Sequence, residues 1–381
     1  MNYLLLLLLL PLLVQALWLG AVLCAHIGRR RKYGQSETKS FVVVIPAHNE
    51  SSSIENSVKG VSLQDYPKNL VQVYVIADNC SDDTADVARS AGANVIERQS
   101  DRKSKGFALE DCIPGILEES ACDAIIVMDA DSVLQADAMK YFSGALDSGM
   151  NRIQGLYVGL NPDASWRTKL MEWAFSLFNG VYLSGITAMG ISSHLRGNGM
   201  CFSREALLKH PWKASGLAED LEFSWSLRHA GLHVDFHPKA VVRGEFVSSQ
   251  KAAQSQRSRW EEGRQEVHKN ALKNLKLEKN RIKKFQYFLD LSLWPMGRLV
   301  GYSVVVLLLA ALLADPWLLG LGGCAFIIVA AYICSPFLFA MVPLRYLAAT
   351  LWVPYYIAWK VYIKILGKPA DWVRTKREGE S

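Results

Sequence analysis

The chain has 381 residues, half of them hydrophobic, and its 42 basic and 36 acidic side chains leave a formal net charge of +6. That length suits one large domain or two ordinary ones. The seven cysteines show neither CxxC spacing nor a paired framework, which excludes a disulfide scaffold or a cysteine zinc site and suits reduced thiols.

The first element is apolar. Residues 3–25 carry no charge and are long enough to cross a bilayer as a helix. Arg29, Arg30, Arg31 and Lys32 follow it. A cleaved signal peptide is the competing reading, but its basic residues would precede a shorter apolar core. We therefore expect an anchor over 1–28 whose basic end stays in the cytosol.

The middle of the chain alternates strand and helix patterns. FVVVIPAH (41–48) is expected as a buried strand and 51–64 as a helix with Ile54, Val58 and Val61 on one face. VQVYVIAD (71–78) predicts a second strand, with a helix ending at Gly92. NVIER predicts a third, KGFALEDCIPGILEE a helix interrupted by Pro114, and AIIVMD (124–129) a fourth. Strands joined by helices imply an α/β fold with a mostly parallel sheet between helices, whose ligands collect at the carboxyl ends of the strands. Acids stand at three of those ends: Glu50, Asp78, and the pair Asp129 and Asp131. One such acid usually just caps the next helix. Several on one edge point to a site, and the alternating carboxylates of DAD offer oxygens to a hard divalent ion that would take diphosphate as its other ligand. No GxxxxGK[ST] or GxGxxG stretch is present, so neither a P-loop NTPase nor a dinucleotide oxidoreductase is supported. Lys105 is a candidate for the phosphates. In QRSRW, Gln256, Arg259 and Trp260 fall on one helix face.

The lysine-rich segment 269–297 alternates with Leu272, Leu275, Ile282 and Phe285, as an interfacial helix region on anionic lipid would. Its place beside apolar sequence argues against a nucleic-acid partner. Region 298–366 holds two candidate spans, 299–314 and 317–342, and a third stretch, 344–366, that suits an interfacial helix as well as a span. A basic tail, 367–381, completes the chain.

Taken in order, VVVIPAHNE, ADNCSDDTADVA, SKGFAL, MDADS, RGNGMCFSREAL, AEDLEFSWSLRHAG and QRSRW resemble the family 2 glycosyltransferases of GT-A fold. The likeness spans about 41–265 and is greatest to the membrane-integrated branch: cellulose, hyaluronan, chitin-oligosaccharide and poly-N-acetylglucosamine synthases, with ceramide glucosyltransferases similar in layout. The resemblance implies a cytosolic GT-A nucleotide-sugar domain (38–268) inserted between transmembrane helices in a multi-pass protein of the plasma (cell inner) membrane. It also implies an inverting, metal-dependent enzyme that moves a sugar from a UDP-sugar donor to a growing oligo- or polysaccharide. Single transfer to a lipid acceptor is the alternative, and a catalytically inactive nucleotide-sugar-binding subunit the reading from another class.

Carried over by position, Asp78 would meet the uracil edge, Glu50 would lie near the uridine and Lys105 by the nucleotide. Asp129 would face ribose or metal, and Asp131 would bind Mg²⁺ or Mn²⁺. Asp220 would be the catalytic base beside Glu219, while Trp260 with Gln256 and Arg259 would hold the acceptor sugar and reach the diphosphate. Two departures stand out: Ala218 replaces the family threonine before Glu219, and Ala77 replaces an acid before Asp78. With few spans expected, export of a long polymer would call for a second subunit or self-association.

Overall fold

The computed structural model describes residues 3–29, 32–247 and 250–355, the side chains of 3–6 and 250–259 lying outside that description. In chain order the elements are α1 (Tyr3–Gly28), β1 (Phe41–Ala47), α2 (Ile54–Ser62), β2 (Val71–Asp78), α3 (Thr84–Ser90), β3 (Asn94–Arg98) and α4 (Lys105–Glu119). Then come β4 (Ala124–Val127), β5 (Ser132–Leu134), α5 (Ala138–Asp147), β6 (Arg152–Gly159) and α6 (Trp166–Phe175). A π-helical segment, Ser176–Tyr182, leads into α7 (Leu183–Ala188), β7 (Met200–Ser203), α8 (Arg204–Lys209), α9 (Glu219–His229) and β8 (Asp235–Gly244). The last helices are α10 (Gln250–Asn274), α11 (Arg281–Leu291), α12 (Met296–Leu312) and α13 (Pro316–Leu338).

These elements form two compact units. One holds the stretches up to Phe175 from residue 32 and Ser192–Lys269; the other holds α1, Ser176–Ile191 and the described residues from Asn270 onward.

The first unit is built on an eight-stranded sheet of order β3-β2-β1-β4-β7-β6-β8-β5. The four expected strands form its parallel half, β1 pairing with β2 and β4, and β2 with β3. The other half is mixed: β7 is antiparallel to both β4 and β6, β8 is parallel to β6, and β5 is antiparallel to β8. Both faces of β1 are buried. Val43 and Ile45 pack on Ile54, Val58 and Val61 of α2, while Val42 and Val44 face Ile113 and Ile116 of α4. Burial on both faces is why these strands are continuous apolar runs. Helix α4 is not interrupted at Pro114 but runs through it. Pro114 is exposed, and on the solvent side a helix tolerates the missing bond by bending and by hydration.

In the second unit two helices are long and apolar enough to cross a membrane, Leu7–Gly28 and Pro316–Leu338. α12 passes that test only when joined to α11, from which it bends by 84°. The expected stretch 344–366 begins as a 3-10 helix, Leu344–Trp352, and its part beyond residue 355 lies outside the described residues, as does the tail. Ser176–Ile191, an uncharged run too short to span, belongs to this unit although no motif or period singles it out. Gly185 of α7 lies so close to Val22 of α1 that a Cβ there would collide with its carbonyl. Trp18 Nε1 donates to Tyr182 Oη (3.3 Å), which donates to Asp290 Oδ1 (2.5 Å), and Arg29 donates to Ser184 Oγ (2.7 Å).

Candidate active site

The parallel half of the sheet ends in two tight loops. Asn49 and Asn79, which follow β1 and β2 closely, both sit in the left-handed region (φ 56° and 51°), which asparagine tolerates better than most residues. Asn49 Oδ1 accepts from Ser81 N (2.7 Å), and Glu50 N donates to Thr84 Oγ1 (2.7 Å), so the two loops brace one another. Glu50 stands here half-buried, its Oε2 accepting from Ser53 Oγ (3.1 Å). Asp78 is buried, and its Oδ1 accepts from Arg98 Nη1 (2.5 Å) and from Asn79 Nδ2 (2.9 Å). Arg98 in turn grips Asp111 Oδ2 through Nε (3.0 Å) and Nη2 (2.6 Å).

A second group of acids lies past the end of β4. Ser104 caps α4 by accepting from Phe107 N (3.1 Å), and Gly106 allows that helix to abut the backbone of Ala214 and Ser215, where a Cβ would collide. This seats Lys105, the first residue of α4. Its ammonium pairs with Asp129 and donates to the Gly197 carbonyl (2.5 Å). Gly197 has φ +75°, and a Cβ there would sit 3.5 Å from Asp220 Oδ2 and 3.8 Å from Lys105 Nζ, so lysine, Asp129 and Asp220 converge on one glycine. Asn198, fully buried, cross-braces the motif: its Oδ1 accepts from Asp129 N (3.2 Å) and its Nδ2 donates to Ser132 Oγ (2.7 Å). Ser132 Oγ donates to Asp131 Oδ1 (3.0 Å).

Glu219 and Asp220 open α9, and Asp220 Oδ1 accepts from Leu221 N (2.8 Å). Asp220 thus lies inside the helix and is not its N-cap, a position held by Ala218 without a side-chain cap bond, and its Oδ2 faces Gly197. Burial, with Asp220 and Asp129 as like charges, pushes Glu219 up to about 7 despite Lys105. Burial also raises Asp220, against the pull of its Leu221 hydrogen bond, Lys105, Arg196 and Arg264. Burial works against the Lys105 charge, yet Asp129, Glu219 and Asp220 hold its pKa above the usual lysine value.

Ala218, where the resembled motif has threonine, touches α10. A Cβ on Gly263 would come within 2.9 Å of Ala218 Cβ, so the small residue and the glycine together let the helix lie against the start of α9. Trp260, three residues earlier on α10, has its ring centroid 6.3 Å from Phe175, which packs edge-on against Phe246 (4.9 Å) and Tyr157 (5.1 Å). The side chains of Gln256 and Arg259 lie outside the described residues. Among the described residues no three His, Cys, Asp or Glu side chains could hold a metal ion by themselves. The carboxylates of Asp129 and Asp131 remain hard oxygen donors of the type Mg²⁺ and Mn²⁺ take alongside phosphate oxygens.

Arg98, Asn198 and Gly263 escape the sequence reading. RGNG was visible as a motif, and two glycines around an asparagine could have flagged Asn198 as a turn residue held inside. Nothing local marks Arg98, whose carboxylate partners are 20 and 13 residues away.

The sequence model described as glycosyltransferase like family 2 matches residues 39–263. The probable glycosyltransferase YdaM of Bacillus subtilis is 26% identical over 283 residues, covering 71% of this chain and 66% of that one. A beta-monoglucosyldiacylglycerol synthase of Trichormus variabilis is 25% identical over 231 residues, 58% of this chain and 48% of that one. The chain thus spans between about half and two thirds of the length of these curated relatives. A mannosyltransferase from Pyrobaculum calidifontis, solved in complex with GDP-Man and Mn²⁺, superposes with a TM-score of 0.55 at 18% identity, covering 92% of this chain and 98% of that one, and shares the fold.

Proposed function

We propose, from the premise that this chain belongs to glycosyltransferase like family 2, that it transfers a sugar from a UDP-sugar to an acceptor at a membrane, with inversion at the anomeric carbon. The observation that carries the reading is the convergence of Lys105, Asp129 and Asp220 on Gly197, beside strand ends that already carry Asp78 and Glu50. A sugar hydroxyl is a poor nucleophile. In this reading Asp220, its pKa raised by burial, accepts the hydroxyl proton as the oxygen attacks from the face opposite the leaving group. One displacement turns an α-linked donor into a β-linked product.

Asp78 accepts a hydrogen bond from the base, and Glu50 lies by the uridine. Lys105 offsets phosphate charge as the nucleoside diphosphate departs, moving from Asp129 as it does so. Asp131, with Asp129, would hold Mg²⁺ or Mn²⁺, which supplies further stabilisation of that charge. Trp260 would offer an apolar platform to the acceptor, and Glu219, Gln256 and Arg259 would share the binding of acceptor and diphosphate.

We favour a lipid acceptor. One relative bears the name of a synthase of a glucosylated diacylglycerol, and α1 and α13 would hold the enzyme in the bilayer where such an acceptor lies. The basic residues after α1 would place the catalytic unit on the cytosolic side of a cell membrane. Trp260 supports extension of an oligo- or polysaccharide as the second reading, with export through self-association or a second subunit. The experiment is to purify the full chain in detergent and measure nucleoside diphosphate release with Mn²⁺ or Mg²⁺. UDP- and GDP-sugars serve as donors, and diacylglycerol or oligosaccharide as acceptors, with the product sized. A monoglycosylated lipid made from a UDP-sugar is the expected result. Turnover of GDP-sugars alone defeats the donor assignment, and a long glycan made without lipid defeats the acceptor assignment.

A further inference from the structure

We infer that Arg98 is a specificity-determining positioning residue: by occupying one oxygen of Asp78 it leaves a single acceptor, which fits a base offering one N–H and disfavours one offering two. The inference rests on the reading of Asp78 as the acceptor for the donor's base.

β2 and β3 are parallel neighbours, and their register sets Asp78 beside Arg98 at the strand ends. Arg98 is 7% exposed, and its guanidinium is held on three sides. Nε and Nη2 bind Asp111 on α4, Nη2 also donates to the Arg102 carbonyl (2.9 Å), and Nη1 reaches Asp78 Oδ1 at 2.5 Å. Asn79 Nδ2 takes the second position on the same oxygen at 2.9 Å. Asn79 is itself fixed. Its N donates to the Arg98 carbonyl (2.8 Å), and its Oδ1 accepts from Ser100 N (3.0 Å).

A carboxylate oxygen has two lone pairs, so Oδ1 is filled. Oδ2 accepts no hydrogen bond from the described residues. The pyrimidine edge of uracil presents one N–H between two carbonyls, which a single free oxygen satisfies. Guanine presents adjacent N–H and NH₂ donors that are best matched by both oxygens of a carboxylate at once. With Oδ1 filled, one guanine donor would be buried without a partner, and sites that leave a polar group unpaired discriminate strongly. The clamp also settles which way Asp78 points, since its Oδ1 partners are Arg98 of β3 and its neighbour Asn79, with Arg98 held in turn by Asp111 of α4, and not the ligand.

The test measures UDP and GDP binding to the purified full chain with Mn²⁺ by calorimetry. Wild type is expected to bind UDP on the order of 10²-fold more tightly than GDP. Arg98→Lys, which keeps the charge but loses the fork, should narrow that ratio about tenfold, mainly by strengthening GDP as Oδ1 is freed for the second guanine donor. Asn79→Gly keeps the left-handed backbone, removes the second donor to Oδ1, and should narrow the ratio two- to threefold. It provides the readout if the buried arginine cannot be replaced without unfolding. Equal affinity of wild type for both nucleotides, or an unchanged ratio in the folded variants, overturns the inference. Asp78→Asn separates the two layers. If it costs UDP affinity while Arg98→Lys and Asn79→Gly leave the ratio alone, the inference fails and the base-acceptor reading stands. If it costs nothing, base recognition by Asp78 fails and the inference with it.

Discussion

Two groups of acids share one edge of the sheet, and they sit in opposite electrostatic conditions. At the end of β2, Asp78 and Asp111 share the buried Arg98 guanidinium through planar, directional hydrogen bonds, and Asp111 pairs with Arg102 as well. Past β4, three carboxylates, Asp129, Glu219 and Asp220, depend chiefly on one ammonium, and two of them are driven upward in pKa. The guanidinium site is balanced and has no need of a ligand to hold its geometry. The ammonium site is short of positive charge, the condition in which a carboxylate takes up a proton readily. The difference teaches why recognition and chemistry fall on different strands: a fork fixes direction, whereas a lone ammonium on a flexible stem can be handed from a carboxylate to a phosphate.

The sharpest way to break this comparison is Asp220→Asn. It should lower the transfer rate on the order of 10²–10⁴-fold while leaving UDP-sugar affinity close to wild type, read from single-turnover rates beside binding. Near-normal turnover would remove the chemical role from the ammonium site. Asp131→Ala comes next, with donor affinity expected to fall roughly 10–100-fold and its response to added Mn²⁺ or Mg²⁺ to vanish. A wild-type rate indifferent to EDTA would show that both acids of DAD serve something other than a metal. Trp260→Ala should raise the KM for acceptor about tenfold with the donor KM unchanged. Equal losses for both substrates would count against an acceptor platform.

The mildest test concerns pH. Folded Glu219 titrates at about 7 against 4.5 for the free side chain. Between those values the folded chain keeps a proton that the unfolded chain has lost, so stability should fall as pH rises through that window and level off above it. Asp220, also raised, adds to the fall in the same direction. Glu219→Gln should flatten the slope, recovering on the order of 5 °C in Tm at neutral pH in a melting series. An unaltered slope would place Glu219 in a less crowded field than the one described.

Much of the fold and part of the site were legible beforehand because they rest on local pattern. The runs at 41–48 and 71–78 are apolar or β-branched in a way that marks buried strands, 94–98 is a shorter, half-exposed run, and β1, β2 and β3 lie there. β4 was placed correctly but ends at Val127, since Asp129 and Asp131 already belong to the loop that Asn198 braces. The mixed half of the sheet gave no comparable signal. β5 and β7 are only three and four residues long, and pairing partners distant in sequence define them. The uncharged run 176–191 was equally silent, because a stretch of that length is compatible with a core helix as much as with a place among α1 and α13.

By itself, the sequence determined that acids follow successive buried strands, that a lysine opens the helix after β3, and that two long apolar segments flank this arrangement, since residue type and period are local properties. Only the tertiary structure decided which cation meets which acid. Arg98 takes Asp78 through strand register and Asp111 through the packing of α4, and Gly197 brings Lys105 and Asp220 together across more than twenty residues of chain on either side. Charge pairing of this kind depends on distance in space, which falls to a few ångströms only after the sheet has closed.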